Sequence, residues 1–181
     1  MRDRIVGAEG AERAIERDAD AVLANIANVT GTTLVVGVSL GALPALALDR
    51  RLADRPHRLL LLEPLLAYRP PATRVADAAY TDYQTASEAA MLGLADPASI
   101  ARFAAYLQQL QQERADTPVM LAFGASDRIS MRSDWRRPPR PQDRLLVVPG
   151  DHAFAPFDPD IWAMARDWLT PADSTGRRPH E

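Results

Sequence analysis

Three residues of different chemistry each stand just past a short apolar run. Ser39 lies in Val35-Val-Gly-Val-Ser-Leu-Gly-Ala-Leu43, Asp127 in Phe123-Gly-Ala-Ser-Asp-Arg-Ile129, and His152 in Val148-Pro-Gly-Asp-His-Ala-Phe154. A serine hydroxyl is a weak nucleophile until a base takes its proton. A histidine titrates near neutral pH and serves as that base. A carboxylate fixes the imidazole tautomer and stabilises the cation that forms. Of the three histidines, His57 precedes an apolar run and His180 lies in the C-terminal tail, which leaves His152 as the base. The acid has two rivals to Asp127: Glu63, which closes another apolar run, and Asp151, which adjoins His152.

Gly37 and Gly41 flank Ser39. A sharp strand-to-helix turn is expected to bring backbone and helix too close together for side chains at both positions, and to hold the hydroxyl out. Ser39 would then stand at a helix N-terminus, whose partial positive charge favours a developing anion. The amide of Leu40 is the candidate oxyanion donor. No metal-ligand spacing, GxGxxG or P-loop occurs, so neither a metal nor an organic cofactor is expected.

These residues need a scaffold, and the periodicity supplies one. Leu34–Val38, Arg58–Leu62, Pro118–Phe123 and Leu145–Val148 are short apolar runs bounded by turn signals, the pattern of buried strands. Residues 10–28 carry Ala14, Ile15, Val22, Leu23, Ile26 and Val29 at near-helical spacing. Helices are also expected over 40–53, with Pro44 in the first turn, and over 76–92. Asp96 caps a helix that starts at Pro97 and runs to about Arg114. A final helix over 160–169 is expected to bury Ile161, Trp162, Ala165 and Trp168. Residues 64–75 and 136–143 read as proline-broken loops, and 171–181 as a polar tail. Strands alternating with helices predict an α/β domain with a mainly parallel sheet flanked by helices, spanning 1–170. In such sheets functional groups gather at the carboxyl ends of the strands, where Ser39, Asp127 and His152 all fall.

The bulk numbers narrow the function. With 181 residues the chain is long enough for one domain with a real core. A net charge of -3 gives no general attraction to nucleic acid or anionic membrane. No cysteine is present, which excludes disulfides and thiolate chemistry. The N-terminus has no apolar signal core, and the apolar runs are too short to span a bilayer, so a cytoplasmic chain is the default expectation.

Gly-Val-Ser-Leu-Gly between a strand and a helix resembles the nucleophile elbow of the α/β-hydrolase superfamily, and Ser, Asp, His is that superfamily's chain order. Phe123–Ile129 resembles its acid loop and Pro149–Phe154 its histidine loop, so the resemblance covers about residues 20–170. It implies a serine hydrolase acting on a small carboxylic ester or thioester. Ser39 is then the nucleophile, His152 the base, Asp127 the acid and Leu40 an oxyanion donor. It also implies a helical lid-like insert over about 64–116. An acyltransferase using the same triad, or a non-catalytic, partner-dependent binding subunit, fits the same residues. Tyr80, Tyr83, Phe103 and Tyr106 would either line an acyl pocket or simply pack, and the arginines of 136–144 would either bind an anionic group or be solvated. The resemblance fails before the elbow, where the superfamily carries more strands and an oxyanion loop. Arg4–Gly10 looks like the end of its fourth strand and the loop that follows. Strand 34–38 would then present a bare edge, to be covered by a second copy or by a partner chain.

Overall fold

The computed structural model describes residues 7–65, 96–113, 116–127, 139–153 and 157–169. Four strands form one parallel sheet in the order β1 (Thr33–Val38), β2 (His57–Leu62), β3 (Val119–Gly124), β4 (Arg144–Val148). Each falls within one residue of its apolar run. β2 and β3 are buried along nearly their whole length because both faces of the sheet are covered there.

Helices α1 (Gly7–Asn25), α2 (Ala42–Arg51) and α3 (Pro97–Gln112) lie on one face. They enclose Leu46, Leu59, Leu61, Phe103, Leu107, Leu110 and Phe123. The other face is covered by α4 (Pro159–Leu169), whose Ile161 and Ala165 pack on Leu60, Leu62, Met120 and Ala122. Asp96 caps α3 as expected, accepting from the Ser99 amide at 2.9 Å. Of the proposed insert, α3 is a core layer, carrying Phe103, Leu107 and Leu110 inward. The expected helix 76–92, Tyr80, Tyr83 and the tail 171–181 lie outside the described residues.

Several expectations need correction. Gly7–Gly10 is not a post-strand loop but the first turn of α1. The buried stripe of α1 is Ala8, Ala11, Ile15 and Ala19, while Val22 and Val29 are exposed. Small side chains let α1 settle closely on its neighbours, so the alanines rather than the larger residues mark the core face. On α4 buried Ile161 and Ala165 and partly buried Trp168 follow the helical repeat, and Trp162 turns outward at 43% exposure. Trp168 is held by its indole N–H, which donates to the Gln142 carbonyl, and by the Arg58 guanidinium over its ring at 4.9 Å.

The amino ends of the strands are closed by a buried cluster. His57 bridges the Arg55 carbonyl at 2.8 Å and the Asp49 carboxylate at 2.7 Å, and the Thr117 hydroxyl donates to the same Asp49 oxygen. His57 therefore serves the sheet at the end away from Ser39.

α1, α2 and α3 are stitched by a charged network. Glu16 pairs with Arg50 and Arg51 and accepts from the Tyr106 hydroxyl, while Arg50 also reaches Glu113. Burial pushes the Glu16 carboxyl up, but hydrogen bonds from Tyr106 and Arg51 and the charges of Arg50 and Arg51 outweigh it and hold it below the ordinary carboxylate range. A depressed folded-state value contributes stability above the ordinary range and loses it as pH falls through that range toward the lower value. Glu16→Gln is therefore expected to melt below the wild type at neutral pH. The gap should close on acidification, as read by thermal unfolding followed by circular dichroism. A gap independent of pH would contradict the assignment.

Candidate active site

Ser39 sits immediately past β1, and a 3-10 turn over Ser39–Gly41 precedes α2. The helix therefore starts at Ala42, three residues past the serine. Ser39 has φ +52, a left-handed conformation that a residue with a Cβ pays to adopt. Gly37 makes this turn sterically feasible. A Cβ there would lie 2.7 Å from the Ala42 Cα and 2.8 Å from the Gly41 carbonyl oxygen. Gly41 plays no such part, because its φ is -64 and a Cβ would meet nothing within 4 Å. The steric expectation holds for Gly37 and fails for Gly41.

β3 ends at Gly124, whose carbonyl accepts the Asp127 amide in a tight turn. β4 ends at Val148, and the chain then turns through Gly150 at φ +119. The two turns are bound to each other: the Ala125 amide donates to the Val148 carbonyl at 2.7 Å and the Ser126 amide to the Gly150 carbonyl at 2.9 Å. Backbone meets backbone here, since a Cβ on Gly124 would lie 2.5 Å from the Gly150 oxygen. The sequence reading missed this role of Gly124 and Gly150. Its one signal was a glycine at each strand end.

These turns bring the three singled-out residues together. His152 Nε2 lies 2.9 Å from Ser39 Oγ, and His152 Nδ1 lies 3.2 Å from Asp127 Oδ2. A carboxylate only accepts, so Nδ1 carries the hydrogen and Nε2 is left as the acceptor facing the Ser39 hydroxyl. The Asp127 side chain is fully buried and the His152 ring 19% exposed. The Leu40 amide stands in the first turn of a helical segment, where amides lack an intrahelical acceptor.

Both rivals for the acid can be placed. Asp151 is exposed and accepts the Ala153 amide at 3.0 Å, holding the histidine turn from outside. Glu63 is 1% exposed, directly follows β2 and has φ +46. Val38 pairs with Leu62 in the sheet, so Ser39 and Glu63 are neighbours on adjacent strand ends. They are the two non-glycine residues with positive φ among those described. The Glu63 carboxylate accepts the Gly124 amide. Glu63, Asp127 and His152 each place one nitrogen or oxygen within 4.8 Å of the others. Both His152 nitrogens already face Ser39 and Asp127, so a cation would have to displace those contacts, and the set reads as a hydrogen-bonding cluster.

Of the other candidates, Arg136 and Arg137 lie outside the described residues, and the described ones fall elsewhere. Phe103 is buried and stacks on Tyr106 at 6.3 Å, and the Tyr106 hydroxyl points to Glu16, so both belong to the helix layer. Arg140 holds Asp143 and the Thr117 carbonyl, and Arg144 folds onto the carbonyls of Pro141 and Asp143. Among the described elements β1 pairs with β2 alone. Beside its outer edge lies an apolar groove of about 330 Å³ lined by Val22, Ile26, Val36 and Pro44. No described helix is long and apolar enough to cross a membrane.

No protein-family model matches the chain, and no curated protein matches it by sequence. Solved structures do match it. The peroxisomal alpha-beta-hydrolase of Saccharomyces cerevisiae aligns with 96% of this chain and 63% of its own, at 16% identity and TM-score 0.55. A thermophilic esterase aligns with 84% of this chain and 72% of its own, at 17% identity and TM-score 0.55. A type II thioesterase of the yersiniabactin pathway aligns with 86% and 73%, at 19% identity and TM-score 0.51. The chain thus spans less than two thirds of the first of these. At such identities the likeness establishes the fold: a parallel sheet flanked by helices, of the α/β-hydrolase type.

Proposed function

With the α/β-hydrolase fold as premise, we propose that the chain is a serine hydrolase cleaving a small carboxylic ester or thioester. The observation that carries this reading is a strained serine whose hydroxyl lies 2.9 Å from His152 Nε2, the ring being backed by Asp127 at 3.2 Å. Ser39 Oγ attacks the acyl carbon while His152 Nε2 takes its proton. The carbonyl electron pair moves to oxygen, where the Leu40 amide donates to the anion. Collapse breaks the bond to the alcohol or thiol, which leaves with the proton from His152. Water then attacks the acyl-enzyme, giving its proton to His152, and release of the acid returns that proton to Ser39. Structural neighbours named as an esterase and a thioesterase support the two ester classes.

A panel of carboxylic esters and acyl thioesters of graded acyl length tests the reading. Turnover of at least one member, abolished in Ser39→Ala, is the expected result. A folded chain inert toward the whole panel would count against it.

A second reading is favoured by the outer edge of β1. Exposed Val36 and Val38 and the adjoining groove would suit a further strand, from a second copy or a partner chain, that also brings the second oxyanion donor. On that reading the purified chain is inactive alone and gains activity when the complement is added.

A further inference from the structure

β2 stops at Leu62, and the chain then makes a sharp, buried return. The Glu63 amide donates to the Ala122 carbonyl at 2.8 Å, on the β3 side. Pro64 has no N–H to give. The next amide, that of Leu65, donates the other way, to the Ser39 carbonyl at 3.2 Å. Glu63, at φ +46, bends the chain into this return. Pro64 and Leu65 are both buried, Leu65 to 4% exposure. A buried amide needs an acceptor, and the return brings the Leu65 amide to the Ser39 carbonyl.

That contact falls on the peptide unit that also carries the candidate oxyanion donor. The Ser39 carbonyl and the Leu40 N–H belong to one planar group, and in a trans peptide they point in opposite directions. Fixing the carbonyl therefore fixes the direction of the N–H. The Ala42 amide also faces the Ser39 carbonyl, from within the 3-10 turn. That contact lies inside the turn and moves with it. The bond from Leu65 ties the same carbonyl to the end of β2, and so to the sheet. Electrostatic stabilisation depends on donors already aimed where charge develops. A peptide unit free to rotate would have to reorganise at each turnover.

We propose that Leu65 is a positioning residue: its amide, by holding the Ser39 carbonyl, aims the Leu40 N–H of the same peptide unit at the developing oxyanion. The effect on turnover rests on the hydrolase reading, whereas the orientation of the peptide does not.

The test therefore has an arm independent of activity. Leu65→Pro deletes the amide hydrogen, and Leu65→Ala trims the side chain but keeps it. In amide nitrogen–proton correlation spectra, the Leu40 resonance should move further in Leu65→Pro than in Leu65→Ala. A Leu40 resonance in Leu65→Pro at its wild-type position overturns the proposal whether or not the chain turns over esters. In the kinetic arm, Leu65→Pro should lower kcat by about tenfold to 10², at little change in KM. The loss stays below that of a deleted oxyanion donor because the Ala42 amide still faces the carbonyl. Leu65→Ala should hold kcat within about threefold. Equal losses in both variants would assign the effect to the side chain, and the proposal is wrong. A Leu65→Pro that melts lower but keeps the wild-type kcat makes the bond structural, and the proposal is again wrong. If Leu65→Pro does not fold, an ester in place of the backbone amide at 65 removes the donor alone, and the same results are expected of it. An inert wild type would sink the hydrolase reading, and the Leu40 resonance would still decide the orientation.

Discussion

Alanine at His152 is expected to lower kcat for ester or thioester hydrolysis by about 10⁴- to 10⁶-fold, with KM nearly unchanged. The imidazole contacts both Ser39 Oγ and the Asp127 carboxylate, at 2.9 and 3.2 Å. Without it the hydroxyl has no base and the leaving group no acid, so both chemical steps lose their proton carrier. The ring is partly exposed, so its removal opens no sealed core cavity, and the variant should fold. The effect should also be non-additive. Ser39→Ala and His152→Ala each disable one unit, so the double variant should be no slower than either single one. Steady-state kinetics on the three proteins measure this. Near-multiplicative losses would mean that the two residues do not act together.

Alanine at Gly37 has the second-largest expected effect, and it works through geometry. The added Cβ would lie 2.7 Å from the Ala42 Cα, 2.8 Å from the Gly41 oxygen and 2.9 Å from the Ala45 Cβ. Two of these neighbours are backbone and cannot rotate aside, so the start of α2 must move off the sheet. Overpacking of this kind costs about 1–3 kcal/mol of stability, and more where backbone is the obstacle. Ser39 lies between the clash and the helix, so its hydroxyl shifts with the turn. A displacement near 1 Å is enough to cost about 10² in rate. Gly41→Ala is the control. Its φ is -64 and its Cβ would meet open space, so alanine should leave activity intact and melt at or slightly above the wild type. Equal damage from both substitutions would refute the steric account.

The strands were readable because β2 and β3 are buried on both faces, and a strand with no wet face must be apolar throughout. The three candidate site residues were readable for a related reason: each is polar where an apolar run stops. Other features lack a local signature. The inward face of α1 is alanine, which is equally common on exposed helices, so larger residues such as Val22 misled. Trp162 differs from Trp168 only by its angle on α4, and hydrophobicity alone cannot assign it. The fit of Gly124 against Gly150 joins positions 26 residues apart and exists only once β3 and β4 are paired. Glu63 could be singled out as a carboxylate at a strand end. That it stands beside Asp127, with its own backbone strained, depends on β2 being neighbour to both β1 and β3.

The central claim is that Ser39 is a nucleophile activated by His152, and a fluorophosphonate probe reads it directly. The folded chain is incubated with the probe and weighed by intact-mass spectrometry, and the adduct is mapped by digestion. One equivalent on Ser39, absent in Ser39→Ala and sharply slowed in His152→Ala, is the predicted result. A folded chain that takes up no probe, or takes it up unchanged in Ser39→Ala, would contradict it.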